Sequence, residues 1–202
     1  MIEAKHKKLY YLFFKFYTHF KIKKHFHKVV FVGKPKVYEK SVLILSNHIS
    51  WWDGFWINYF NEHITKKKIF FMMLEEQLLK YSFFSKIGGY SVKKNTRDIL
   101  NSINFTLNLL KSYENAVFLF PQGEIKSLYT NEITFESGIQ RILNNVCDIE
   151  IVFLCNFIEY FSNQKPTLYM YFRTYDAKQD IDYQKEYNTF YYECKNKNRL
   201  QN

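Results

Sequence analysis

The chain is 202 residues long, carries a formal charge of +10 and is 47% hydrophobic, which suits one domain able to bury its own core without cross-links. Its three cysteines, Cys147, Cys155 and Cys194, are odd in number and lack C-x-x-C spacing. Neither a disulfide framework nor a zinc site is therefore expected, and a reducing cytoplasm is the natural setting.

The charge is concentrated at one end. Residues 1–38 hold ten lysines against Glu3 alone, and the remaining chain is close to neutral. That arm, "KHKKLYYLFFKFYTHFKIKKHFHKVVF" (5–31), interleaves lysines with large aromatics. It contains no apolar run of about 18 residues, as a membrane-spanning helix requires, and its lysines break up any signal-peptide core. The expectation is a basic, aromatic, amphipathic segment over 1–38 lying at a membrane interface. Its rings would sit at headgroup level with lysines toward anionic phosphates. The same composition describes a single-strand nucleic-acid binder, or a helix packing its rings on the body. Of these partners membrane lipid is the expected one and nucleic acid is not. The histidines in the arm, His19, His25 and His27, have no acids or cysteines near them in sequence, so no metal site is expected.

After the arm, strand-length apolar runs alternate with helical patterns. Strands are expected at 41–46, 69–73, 116–120, 149–155 and 167–173, and helices at 53–62, 76–86, 97–113 and 136–146. In 97–113, Ile99, Ile103, Leu107 and Leu110 fall on one helical face. The stretch 183–200 reads either as a helix on the body or as a second surface contact. Alternation of this kind predicts a single-domain α/β fold over 39–202, with a central, mostly parallel sheet flanked by helices. In such folds ligands gather beyond the carboxyl ends of the strands.

Two strand ends carry unusual residues. The first reads "SNHISWWDGFW" (46–56). Were it continuous helix, five residues would separate His48 and Asp53 by about 140°, and they could not meet. A turn at His48 and a helix beginning near Ser50, which Ser50-x-x-Asp53 favours as a capping box, lets Asp53 face back. A carboxylate in the first helical turn is held ionised by the helix dipole. It would orient the imidazole and favour its protonated form. With no G-x-S-x-G nucleophile in the chain, the histidine would activate a hydroxyl of the substrate. Asp53 as a simple cap is the plain alternative.

The second strand end reads "AVFLFPQGEIK" (116–126), where Pro121 forces a turn and Gly123 permits close backbone approach. Between the two lies "KIGGYSVKKN" (86–95), ending in paired lysines. In this order the stretches resemble the lysophospholipid (glycerolipid) acyltransferases, typified by 1-acylglycerol-3-phosphate O-acyltransferase. "NHISWWD" (47–53) matches that family's N-H-x-x-x-x-D block in full, and "GYSVKK" (89–94) resembles its second block, with Lys94 where arginine is usual. "FPQG" (120–123) resembles its F-P-E-G block, with Gln122 for the glutamate and Ile125 where an arginine stands. "TFESG" (134–138) and "IVFLC" (151–155) follow the later blocks, and the resemblance runs from about residue 40 to 175.

The resemblance implies an O-acyltransferase that moves a fatty acyl group from an acyl thioester to a hydroxyl of a lysolipid-type acceptor. It makes His48 the general base, with Asp53 orienting it. Asn47, Gly89, Lys94, Phe120, Pro121, Gln122, Gly123 and Lys126 become substrate-binding positions. It implies no cofactor, acyl-CoA or acyl carrier protein as co-substrate, and a peripheral place on the cytoplasmic face of a membrane. A non-catalytic lipid-binding relative of the same fold is the alternative. Lysine in the second block offers a point charge in place of a bidentate fork.

Overall fold

A computed structural model describes residues 1–93, 98–177 and 181–201. A helix α1 (Lys8–His25) opens the chain, followed by β1 (Lys28–Val32), β2 (Val42–Ser46) and α2 (Asp53–Phe60), which runs into a π-turn at Asn61–Thr65. Next come β3 (Lys68–Leu74), α3 (Glu75–Lys80), a 3-10 stretch at Ser82–Ile87, β4 (Gly89–Val92), α4 (Ile99–Leu109) and β5 (Asn115–Leu119). The chain continues through α5 (Ser137–Leu143), β6 (Glu150–Glu159), β7 (Thr167–Asp176) and α6 (Tyr183–Arg199).

The seven strands form one sheet in the order β1-β7-β6-β2-β5-β3-β4. Every neighbouring pair is parallel except β6 and β7, which form an antiparallel pair. The central strands bury both faces, which is why their sequences read as unbroken apolar runs. Along β2, Val42 and Ile44 join the core on one side while Leu43 and Leu45 join the core on the other. The first side is covered by α1 and α2 through Phe14, Ile22, Phe26, Phe55, Trp56 and Phe60. The second is covered by α4, α5 and α6, with Ile103, Ile139, Ile142, Tyr187 and Tyr191 against the sheet. The 183–200 stretch is thus a helix on the body.

All five expected strands are present, each end lying no more than four residues from its expected place. Two further strands, β1 and β4, form the sheet's two edges. They escape the sequence pattern for the same reason: β1 is five residues, begins with an exposed lysine and lies inside the basic arm, and β4 is four residues opening on glycine. The expected helices 53–62 and 76–86 each stop early and change pitch, into the π-turn and the 3-10 stretch respectively.

The basic arm shares the sheet with the rest of the chain, since β1 pairs with β7 from Lys28↔Thr167 to Val32↔Tyr171. Its helix buries Phe14, Thr18 and Ile22. Phe14 stacks on Phe55 at 5.6 Å between ring centroids and meets Phe83 and Phe84. His19 and Lys15 both reach the Glu62 carboxylate, at 2.7 and 3.4 Å. The opposite stripe, Leu9, Leu12, Phe13, Phe16 and Phe20, faces solvent. No helix among the described residues is long and apolar enough to cross a membrane.

Because Phe14 is part of the core, Phe14→Ala is expected to cost about 3 kcal/mol of stability, read as a lower urea midpoint. An unchanged midpoint would show that α1 is not integral to the domain.

Candidate active site

Adjacent parallel strands bring distant sequence together. Leu45 of β2 pairs with Leu119 of β5 and with Phe153 of β6. The loops leaving the carboxyl ends of β2 and β5 therefore emerge side by side, one carrying His48 and the other Phe120–Gly123. They are stapled in both directions: the His48 N–H donates to Gln122 Oε1 at 2.6 Å, and the Lys126 N–H donates to the His48 carbonyl at 2.8 Å. The Phe120 ring stacks on the His48 imidazole with centroids 3.8 Å apart and planes 15° from parallel.

The turn itself follows from its residues. Gly123 donates its N–H to the Phe120 carbonyl at 3.0 Å and has φ +65. Proline at the second position and glycine at the fourth are the composition such a turn favours. Any larger residue at 123 would be strained.

The expected meeting of His48 and Asp53 is present. Asp53 Oδ2 accepts from His48 Nδ1 at 2.6 Å, from the Ile49 N–H at 2.8 Å and from the Ser50 N–H at 3.0 Å. Half of the anticipated capping box forms, since Asp53 reaches back to Ser50 while the Ser50 hydroxyl accepts from the Trp52 N–H. The helix consequently starts at Asp53, after a turn. Asp53 is 1% exposed, and its Oδ1 has no partner among the described residues. Burial pushes the Asp53 carboxyl above its ordinary value of 3.8, against the pull of His48 and of the Ser50 and Ile49 amides. A desolvated carboxylate in this position gains most when the neighbouring imidazole acquires a proton. With Nδ1–H donated to Asp53, the lone pair of Nε2 is left to accept one.

The other expected positions divide. Asn47 is fully buried and bonds both backbone groups of Asn156, Nδ2 donating at 2.9 Å and Oδ1 accepting at 2.8 Å. Its amide continues the β2–β6 pairing where the strand ends, so it holds the histidine loop from beneath. Asn156 in turn donates to the Ser46 hydroxyl at 3.1 Å. That residue was missed in the sequence, although a lone asparagine inside "IVFLCNFIE" is a visible signal of a buried polar partner. Phe120, Pro121, Gln122, Gly123 and Lys126 gather at His48. Lys126 Nζ pairs with Glu124 at 2.5 Å. Gly89 lies two strands from β5, level with Phe118 through Phe71. A Cβ there would stand 2.9 Å from the Phe84 carbonyl, which accounts for the glycine by packing. Lys94 lies outside the described residues. Among the described residues no three His, Cys, Asp or Glu side chains come together as a metal site.

A cleft of about 300 Å³ adjoins this loop, lined by Gln122, Glu124, Lys126, Thr130, Glu132, Thr134, Phe135 and Glu136. The fold and the site together define an α/β protein with a carboxylate-oriented histidine at the carboxyl end of a parallel sheet. Residues 28–155, more than half of the chain, match the family model described as Acyltransferase, and the chain belongs to that family. Among solved structures it is similar to the 1-acyl-sn-glycerophosphate (LPA) acyltransferase PlsC from Thermotoga maritima. The TM-score is 0.61 at 14% identity, covering 94% of this chain and 80% of that one. No curated protein sequence matches it significantly.

The raised Asp53 value has a consequence for stability. The folded protein holds this proton to higher pH than the unfolded chain does, so its contribution is fully present below pH 3.8 and is lost as pH rises through the folded value. Asp53→Asn keeps an oxygen to accept all three hydrogen bonds and removes the buried charge. Its thermal midpoint is expected to equal or exceed the parent's near neutral pH, with the gap closing toward about pH 4, as calorimetry across that range would read. A clearly lower midpoint at neutral pH would contradict this.

Proposed function

We propose that the protein transfers a fatty acyl group from an acyl thioester, acyl-CoA or acyl carrier protein, to a hydroxyl of a lysolipid-type acceptor, with His48 as general base and Asp53 as its orienting partner. The observation that carries this reading is the 2.6 Å contact from His48 Nδ1 to an Asp53 carboxylate oxygen that two backbone amides also hold. Asp53 fixes the tautomer and compensates the imidazolium. In the reaction, Nε2 takes the acceptor hydroxyl's proton as that oxygen attacks the thioester carbonyl. The C–S bond then breaks and the departing thiolate takes the proton back, leaving the ester and a free thiol. No protein nucleophile is needed.

A lipid acceptor is supported by family membership and by the fold shared with a protein titled as acting on 1-acyl-sn-glycerophosphate. The exposed face of α1 supports a membrane surface as the workplace. Phe16 and Phe20 are 73% and 52% exposed on a lysine-rich helix, and Trp51, three residues from the base, is 68% exposed. Rings Trp51, Phe55 and Tyr17 form a continuous contact series between the histidine loop and α1. Docking through this face would bring a bilayer-resident acceptor to His48 by lateral diffusion. We place the protein peripherally on the cytoplasmic side, in keeping with three unpaired cysteines.

The test of the chemistry is thiol release from long-chain acyl-CoA and acyl-carrier-protein donors, crossed with lysolipid acceptors in vesicles. His48→Ala is expected to lower acceptor-dependent turnover by about 10³-fold, and Asp53→Asn by a comparable factor. Release unaffected by either change would remove His48 from the mechanism. Folded protein that binds vesicles yet turns over no donor–acceptor pair would favour a non-catalytic relative.

For the membrane contact, Phe16→Ser with Phe20→Ser is expected to weaken binding to anionic vesicles by about tenfold or more. The thermal midpoint should barely change, because both rings are already in water. Sedimentation with vesicles reads the first effect and a melting curve the second.

A further inference from the structure

Sheet register brings two further segments to the end where His48 stands. Ser46 pairs with Leu154, so β6 runs on for five residues beyond the end of β2, to Glu159. In extended chain that is roughly 16 Å. The turn into β7 therefore projects from the same end of the sheet as the histidine loop. Thr167 pairs with both Glu159 and Lys28, which brings the start of β1 to this level too. The His27 N–H donates to the Pro166 carbonyl at 2.8 Å and ties the arm to the turn. Phe26 meets Trp52 of the histidine loop edge-on, with ring centroids 5.3 Å apart.

The turn is built against its own conformational preference. The Tyr160 carbonyl accepts from the Asn163 N–H at 2.9 Å, and Phe161 is held at φ +44. That left-handed conformation favours Gly or Asn, and a bulky aromatic there is strained. The strain brings little burial in return, since Phe161 is 49% exposed and Tyr160 57%. Strain kept in an exposed aromatic points to a contact outside the chain.

The charge beside this turn is basic. Desolvation pushes His25 below its ordinary 6.5, and Lys21, Lys24 and Lys165 each push it further the same way. Lys165 of the turn thus adds to the field of the α1 lysines. A groove of about 500 Å³ lies between the end of α1 and the start of β1, walled by Phe16, Phe20, Phe26 and Tyr59, with Lys23 and Lys28 in its lining. No Asp or Glu among the described residues lines it. Glu62, bonded to His19 of that lining, is shared with Lys15. Glu159, at the strand end, accepts from Asn198 Nδ2 at 2.6 Å.

Exposed rings set among lysines complement an interface of acyl chains beneath anionic phosphates. Single-stranded nucleic acid would match the charge, but its bases stack along a basic groove, whereas these aromatics sit at the tip of a turn. We propose that the β6–β7 turn is a second membrane contact, which with the end of α1 seats the His48 end of the sheet on a bilayer of anionic phospholipid. This rests on the membrane docking proposed for α1 and adds its orientation and lipid class.

Two labelling positions read the orientation. Cys147 is exposed and precedes β6 at the opposite end of the sheet, whereas Cys155 and Cys194 are buried. An environment-sensitive fluorophore on Ser162→Cys, in a Cys147→Ser background, is expected to shift to the blue with phosphatidylglycerol vesicles. The same fluorophore on Cys147 of the parent should not shift. In sedimentation, Phe161→Gly is expected to weaken vesicle binding by at least about tenfold. Its thermal midpoint should not fall, because glycine accepts a positive φ. Lys165→Gln should weaken binding about fivefold on phosphatidylglycerol and leave binding to phosphatidylcholine vesicles unchanged. An unshifted label at 162, or unchanged binding in Phe161→Gly where Phe16→Ser with Phe20→Ser still weakens it, overturns the inference and leaves the α1 docking standing. A shift at Cys147 overturns the orientation. A label at 162 that responds to a single-stranded oligonucleotide and not to vesicles overturns the proposal as well. A parent that binds no vesicle removes the docking reading and this inference together, while acyl transfer to acceptor in detergent micelles decides the chemistry separately.

Discussion

One carboxylate oxygen organises the site. Asp53 Oδ2 accepts from the imidazole of His48 and from the backbone amides of Ile49 and Ser50. The amides close the loop on itself and fix where the helix α2 begins. The imidazole bond selects the tautomer that leaves Nε2 unprotonated. The same oxygen thus sets the backbone path, the helix start and the orientation of the imidazole. The cost is a carboxyl almost wholly removed from water, with its second oxygen unpartnered among the described residues, a local destabilisation of the kind that clusters at functional sites.

The surroundings of that oxygen are held by sheet topology. Parallel pairing of β2 with β5 on one side and β6 on the other leaves three strand ends together. From β5 come the Phe120 ring against the imidazole and the Gln122 oxygen under the His48 amide. From β6 comes Asn156, clasped by the Asn47 side chain. Each contact needs its strand in register, because a slip by one residue would send the side chains to the opposite face. The site is therefore anchored at the sheet's centre, which is what the proposed general base would need in order to meet a hydroxyl within hydrogen-bond reach.

The arm plays two parts at once. Its inward stripe, Phe14, Thr18 and Ile22, completes the core on one side of the sheet, and its outward stripe of Leu and Phe stays exposed. Helical periodicity allows both, since residues four apart share a face and the two stripes lie on different sides of one cylinder. Of the readings the sequence left open, the packed helix is the one the inward stripe shows.

Much of this was legible in the sequence, and the boundary between what was and was not has a physical basis. Apolar runs long enough to be buried on both faces announced the five inner strands. H-x-x-x-x-D at a strand end, with a capping residue between, announced a histidine and an aspartate that could meet only if a turn preceded the helix. These are local facts, set by pleat, pitch and chain stiffness over a few residues. The two edge strands were not legible, because a short strand with one open side needs little apolar sequence and draws its stability from the neighbour it pairs with. Nor was the role of Asn156, or the commitment of the Gln122 oxygen to the His48 amide, or the packing reason for Gly89. The first two depend on residues 109 and 74 positions apart becoming neighbours. Strand order decides that through the burial of both sheet faces, and no window of sequence contains it.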